Sequence, residues 1–221
     1  SAWLLPLLRL DMGKIYGGIV GQSEENMRQA LQLAETLSPS ILWVDEIEKG
    51  LSGMQSSGST DGGTTARVLG TFLTWMQEKE KPVFVVATAN NIAQLPPELL
   101  RKGRVDEIFF VDLPVESDRI EIIKIHLKNR DRQDDFTEAE IKEIAVISKG
   151  FTGAELEEAV KEAMFLAFDA GQQLAFKYLQ MAIEQTSPLS LTMHEVISKT
   201  REWAKGRAVP ASSMKPETLA D

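Results

Sequence analysis

Ile41-Leu42-Trp43-Val44-Asp45-Glu46 is an apolar run that ends in two adjacent carboxylates and continues into Ile47, Glu48 and Lys49. Four apolar residues in a row suit a parallel strand buried on both faces, and open α/β sheets bind ligands just beyond the carboxyl ends of such strands. Asp45 and Glu46 fall at that edge. Adjacent carboxylates at the mouth of a sheet repel each other and lose solvation, so a divalent metal or a proton is the expected compensation. The alternative is an apolar strand that runs into an acidic helix start, because carboxylates favour helix N-termini.

Apolar spacing sets the elements on either side. Leu4 to Leu10 suits a short buried strand, while Met27, Ala30, Leu31 and Ala34 recur at helical spacing between Glu24 and Leu37, with Pro39 ending the helix. Leu51 to Gly63 is rich in Gly and Ser and reads as a mobile loop. Thr65 to Glu78 predicts a helix with Val68, Leu69, Phe72, Leu73 and Met76 on one face, and Val83 to Ala87 and Ile108 to Val111 predict strands. Strands separated by helices imply a parallel sheet covered on both sides. Beyond Pro114 the pattern changes: Arg119 to Asn129, Glu138 to Ser148, Gly153 to Ala170 and Leu174 to Gln185 read as helices with no strand between them. The chain divides into an α/β part over residues 1–114, a small all-α part over 115–207 and a tail over 208–221 that is expected to be disordered.

With 24 basic and 33 acidic residues the net charge is -9, which disfavours a broad electrostatic grip on nucleic acid or anionic membrane. No cysteine is present, so disulfides, thiolate chemistry and cysteine-ligated metals are excluded. No apolar run approaches the roughly 18 residues needed to span a bilayer. Ala2 to Leu8 is apolar but short, is interrupted by Pro6 and lacks the basic flank of a signal peptide.

Val83 to Ala87 runs into Thr88-Ala89-Asn90-Asn91 and then Leu95-Pro96-Pro97-Glu98-Leu99-Leu100-Arg101-Lys102-Gly103-Arg104-Val105-Asp106. With the Walker B pattern of Ile41 to Glu46 upstream, this order resembles the AAA family of hexameric ATPases. The resemblance implies an α/β fold of the P-loop NTPase type, with a parallel sheet followed by a small all-α lid domain. It also implies ATP and Mg²⁺ as cofactors, and a homo-oligomeric ring that hydrolyses ATP at subunit interfaces to remodel a protein partner. The competing reading is a nucleotide-dependent scaffold that threads no substrate.

Catalysis of phosphoryl transfer is mostly positioning and charge stabilisation, so the resemblance assigns each matched residue a role. Asp45 holds Mg²⁺ through water, since magnesium dehydrates reluctantly. Glu46 orients and deprotonates the attacking water. Asn90 matches the family's first sensor, with Asn91 a competitor one residue away. Arg101 and Arg104 match arginine fingers that reach the γ-phosphate on a neighbouring subunit, where a forked, permanently charged guanidinium suits phosphate oxygens. The alternative for both is surface pairing with Glu98, Asp106 or Glu107.

In the helical part, Ile125-His126-Leu127-Lys128-Asn129 resembles the lid helix whose histidine approaches the nucleoside. Taken without the family, His126 is a histidine on a helix surface. Gly150-Phe151-Thr152-Gly153-Ala154-Glu155-Leu156 resembles the turn beside adenine and ribose, which places Gly153 and Ala154 near nucleotide. Ala154 occupies the position where other branches carry a second sensor arginine. Gly17-Gly18-Ile19-Val20-Gly21-Gln22-Ser23-Glu24 resembles the substrate-gripping pore loop, with Ile19 where an aromatic is usual; the alternative packs Ile19 and Val20 against the core. Tyr16 is a substitute aromatic nearby.

A P-loop, Gly-x-x-x-x-Gly-Lys-Ser/Thr, is missing from the 221 residues, and Met12-Gly13-Lys14-Ile15 lacks the first glycine and the hydroxyl residue. The expectation is a fragment that starts just downstream of the P-loop, lacks the P-loop strand of the sheet and is inactive alone. Leu5-Pro6-Leu7-Leu8-Arg9-Leu10-Asp11 and Arg201-Glu202-Trp203-Ala204-Lys205-Gly206-Arg207-Ala208 resemble the plastid-encoded and cyanobacterial subgroup of the family. That resemblance implies a cytoplasmic protein, or one of the plastid stroma.

Overall fold

The computed structural model describes residues 3–16, 21–54, 61–101, 103–212 and 217, with side chains for all of these except 51–54, 61 and 62. Two compact units result, residues 1–106 and 107–221. Ile19 and Val20, expected in a pore loop, lie outside the described residues.

In the first unit, β1 (Leu7–Asp11), β2 (Ser40–Asp45) and β3 (Val83–Ala87) form a parallel sheet in that order, with Trp43 beside Arg9 on one side and beside Val86 on the other. The P-loop NTPase-type arrangement expected from the sequence is present as these three strands. The helices α2 (Gln22–Thr36) and α3 (Asp61–Glu78) supply Met27, Leu31, Ala34, Val68, Leu69, Phe72 and Leu73 to one core with Leu10, Leu42 and Val44. Period-2 geometry sends Leu42 and Val44 to this face, where each contributes about 1.5–3 kcal/mol by burial. Ser40 Oγ donates to the Ala34 carbonyl at 2.8 Å and ties the start of β2 to α2.

The expected burial on both faces is not met. Both helices pack on the Leu42 side, and on the other Leu7, Phe84 and Val86 remain exposed among the described residues. The Gly/Ser-rich segment is also shorter than its composition suggested: Ile47–Met54 is 3₁₀ helix and α3 begins at Asp61, leaving 55–60 outside the described residues. Between Asp11 and Tyr16 runs a one-turn helix, α1 (Met12–Ile15), capped by the Asp11 carboxylate, which accepts from Gly13 N–H at 3.0 Å.

In the second unit, β4 (Phe109–Phe110) precedes the helices α4 (Glu116–Lys128), α5 (Glu138–Ile147), α6 (Gly153–Asp169), α7 (Phe176–Glu184), α8 (Leu189–Thr192) and α9 (His194–Ala204). Their shared core includes Ile123, Leu127, Ile144, Leu156, Val160 and Leu179. The expected strand at 108–111 shrinks to two residues and pairs in parallel with β5 (Val209–Pro210), outside the sheet of the first unit. The expectation of disorder from 208 therefore does not hold for this strand. Farther along, Glu217 pairs at 3.0 Å with Arg119, a buried guanidinium that also donates to the Ala145 and Pro114 carbonyls at 2.7 and 2.8 Å. A buried cation with its donors engaged is tolerable where an isolated one is not.

Two reciprocal caps fix the starts of α5 and α6. Thr137 and Thr152 hydroxyls accept from Glu140 and Glu155 N–H, and each glutamate accepts in return from the threonine N–H at 2.8 Å. The turn before α6 needs Gly150, whose φ is +85° and whose missing Cβ leaves room for Ser190 Oγ. Thr152→Ala should lower the stability of the helical unit by about 1 kcal/mol, read as a reduced urea midpoint at unchanged slope.

Candidate functional site

Asp45, Glu46, Glu48, Thr88 and Asn90 meet at the carboxyl edge of β2 and β3. The ladder runs one step past the strands, Thr88 N–H donating to Val44 O and Ile47 N–H to Thr88 O, both at 2.9 Å. That step sets the Thr88 hydroxyl between two residues: it donates to Asp45 Oδ1 at 2.8 Å and accepts from Glu46 N–H at 3.0 Å. Asp45 Oδ2 pairs with the Arg9 guanidinium at 2.8 Å, and the same guanidinium lies 4.9 Å over the Trp43 ring. The Thr88 hydrogen bond above all, with Arg9 behind it, holds the Asp45 carboxyl below the usual carboxylate range despite desolvation.

Glu46 adopts φ +48°, a left-handed conformation that costs a residue with a Cβ about 1–3 kcal/mol. Its carboxylate accepts from Asn90 Nδ2 at 3.0 Å and pairs with Lys49 at 2.6 Å. The hydrogen bond and charge of Glu46 raise the Lys49 pKa. Glu48 is buried and accepts from Asn90 N–H at 2.9 Å. Asn91, the competitor for Asn90, turns away from Glu46. Its side chain accepts from Ala93 N–H at 3.1 Å and caps the 3₁₀ turn Ile92–Gln94.

Arg101 is exposed in the turn that follows Leu99. Arg104 folds back, donating to the Glu98 carbonyl at 2.7 Å rather than to a carboxylate, and its Nε is buried without a partner. His126, Gly153 and Ala154 belong to the second unit. His126 stands near the end of α4 with Nδ1 buried and without a partner, Ala154 is exposed, and a Cβ on Gly153 would make ordinary contact with Ile122 at 3.7 Å. Close by, Arg130 of the turn after α4 pairs with Glu157 of α6 at 3.0 Å. Tyr16, the substitute aromatic, is half-buried and its hydroxyl donates to the Gly50 carbonyl.

Sequence reasoning did not single out Arg9, Thr88 or Glu48. Thr88 and Arg9 reach Asp45 only through the parallel register, and Glu48 follows Glu46 by two residues in a segment whose 3₁₀ form is not apparent from composition. Among the described residues no group of three or more His, Cys, Asp or Glu side chains could hold a metal ion. Magnesium bound with nucleotide keeps several waters and takes one or two carboxylates beside the phosphates, so Asp45 fits that role while an all-protein cage does not form.

Comparison with known proteins gives two family matches, the ATPase family associated with various cellular activities (AAA) over residues 1–113 and the AAA+ lid domain over 138–177. The chain is 50% identical over 213 residues to an uncharacterized AAA domain-containing protein ycf46 of Pyropia yezoensis, covering 96% of this chain and 43% of that protein. A protein of the same name in Guillardia theta is 46% identical, covering 96% of this chain and 42% of its own length. A cell division cycle protein 48 homolog of Archaeoglobus fulgidus is 33% identical over 150 residues, 67% of this chain and 20% of that protein. The chain thus spans less than half the length of these curated relatives.

Replacing Thr88 by Val removes the donor to Asp45, and the Asp45 pKa should move up toward its ordinary value, read by ¹³C carboxyl titration. A depressed native pKa contributes stability above the unfolded-state pKa that is lost as pH falls through the native one. Wild type should therefore keep this contribution to a lower pH than Thr88→Val does.

Proposed function

The chain belongs to the AAA family of ATPases, and from that premise we propose that the parent protein binds and hydrolyses ATP at the subunit interfaces of a homo-oligomeric ring, a hexamer, to remodel a protein partner. The observation that carries this is the 3.0 Å bond from Asn90 Nδ2 to Glu46, beside Asp45 at the open edge of the sheet. An amide and a carboxylate in contact can share one water, the carboxylate taking its proton and the amide fixing its direction. The left-handed backbone at Glu46 supports the same reading, since strained residues persist where the surroundings over-determine them and cluster at active sites.

Asp45 is the carboxylate for magnesium, held through water. When bound, that ion neutralises charge that develops on the phosphates. Arg9 and Thr88 keep Asp45 ionised and oriented until then. Arg101 and Arg104 serve a neighbouring subunit, Arg101 as the exposed guanidinium and Arg104 as the anchor that shapes the turn. Residues 115–207 are assigned as the lid, and His126, Gly153 and Ala154 as its nucleotide-binding residues. Ile19 and Val20 grip substrate. Without a Gly-x-x-x-x-Gly-Lys-Ser/Thr the 221 residues do not hydrolyse ATP by themselves. No described helix is long and apolar enough to cross a membrane. On the likeness to the ycf46 proteins we place the protein in the cytoplasm or the plastid stroma.

The scaffold reading draws on one feature, Ile19 in the place of an aromatic, which loses the stacking an aromatic ring offers. In the full-length protein Glu46→Gln should lower the ATPase rate by about 10²-fold or more while nucleotide binding is retained. Undiminished hydrolysis would remove Glu46 from the role of base. Arg101→Ala should also be inactive, and mixing it with Glu46→Gln subunits should restore part of the rate, because some interfaces then combine an intact Glu46 with an intact Arg101. No recovery on mixing argues against a shared site.

A further inference from the structure

Glu48 is a carboxylate with no evident benefit to stability. It is 5% exposed, and among the described residues only one of its oxygens is satisfied, Oε2 being buried without a hydrogen-bond partner. Burying a carboxyl group with one oxygen unmet is unfavourable, and what stands against that is one hydrogen bond from a backbone amide and the field of Lys49 nearby. An apolar residue or glutamine would suit the same place better if packing were the only demand.

The bond that Glu48 does make falls at a critical point. The regular ladder between β2 and β3 closes with Thr88, and Asn90 sits two residues beyond it on an exposed turn. Its N–H is fixed by Glu48 Oε1 at 2.9 Å, and its side-chain amide then reaches Glu46 Oε1 at 3.0 Å. Glu46, Ile47, Glu48 and Asn90 thus close a ring of covalent bonds and two hydrogen bonds. Opening the Glu48 link leaves the Asn90 backbone free to shift, and with Asn91 adjacent a one-residue slip would exchange their positions.

We propose that Glu48 is a positioning residue for hydrolysis, its buried carboxylate holding the Asn90 backbone so that the Asn90 amide is aimed at Glu46. The proposal rests on the hydrolytic roles given above to Glu46 and Asn90. Glu48 acts through Asn90.

The test uses the full-length protein with Glu48→Ala, Glu48→Gln and Glu46→Gln, measuring kcat, KM for ATP and amide hydrogen exchange. Glu48→Ala removes the acceptor, and kcat should fall about 10- to 100-fold with KM changed by no more than about threefold, as expected of an approximately 1 Å misplacement. Glu48→Gln keeps a carbonyl oxygen for the Asn90 N–H and should restore kcat to within about threefold of wild type. Exchange in the peptide containing Asn90 should quicken in Glu48→Ala and stay slow in Glu48→Gln, with the core strands protected in both. In an Asn90→Ala background, adding Glu48→Ala should cost little more, since the two act as a unit.

Should Glu48→Ala unfold, as shown by lost protection throughout, Glu48→Asp draws the acceptor back by one methylene and should give an intermediate kcat. Wild-type kcat in Glu48→Ala or, if that variant unfolds, in Glu48→Asp overturns the positioning role while an inactive Glu46→Gln leaves the ATPase reading standing. An equal loss in Glu48→Gln and Glu48→Ala overturns it as well, by showing that the charge and not the acceptor matters. Full activity in Glu46→Gln defeats the underlying reading and this proposal together.

Discussion

Three carboxylates within four residues, Asp45, Glu46 and Glu48, leave the end of one strand, and the need to compensate them is the constraint around which this edge of the first unit is arranged. At a sheet edge of reduced dielectric such charges cannot stand together without separate compensation. Each is compensated, with Asn90 serving two of them. Asp45 is met by Thr88 and Arg9, Glu46 by Lys49 and Asn90, and Glu48 by the Asn90 amide. The partners come from β1, from the segment after β2 and from the turn after β3, so strand order and register are prerequisites for the charge arrangement. The Leu42 and Val44 face supplies the rigidity beneath it, because a strand fixed by buried side chains cannot change register without turning its apolar face to solvent.

Much of this was legible in the sequence because buried strands announce themselves as short apolar runs. Val83–Ala87 appears with the expected bounds, and β2 extends the expected run by one residue at each end. Helix starts were less clear from apolar spacing alone: α2 begins two residues earlier than expected, at Gln22, and α3 four residues earlier, at Asp61. Thr137-x-x-Glu140 and Thr152-x-x-Glu155 carry their caps in plain sequence.

The remainder depended on contacts that no local pattern encodes. Adjacent asparagines are equivalent in composition, and only the turn after β3 separates Asn90 at Glu46 from Asn91 at Ala93. Arg9 sits 36 residues from Asp45 and reads as an ordinary strand-edge cation until β1 lies beside β2. A strand of two residues in a segment rich in Pro and Ser has no periodicity to detect, and β5 is fixed instead by Val209 and Ala211 donating to Ile108 and Phe110. The helical unit presents the complementary case, where Arg119 gathers carbonyls and a distant glutamate that sequence spacing does not connect.

The tie between Tyr16 and the Gly50 carbonyl differs in kind from the contacts around it. It joins two neutral groups, and burial raises the pKa of the phenol, so the donor keeps its proton throughout the neutral range. Met12 packs against Gly50, so that a Cβ there would press on the Met12 side chain. The Arg9–Asp45 and Lys49–Glu46 pairs are partly open to solvent and weaken as ions accumulate around them. Rising ionic strength therefore loosens the charged rim of the sheet before it affects this joint.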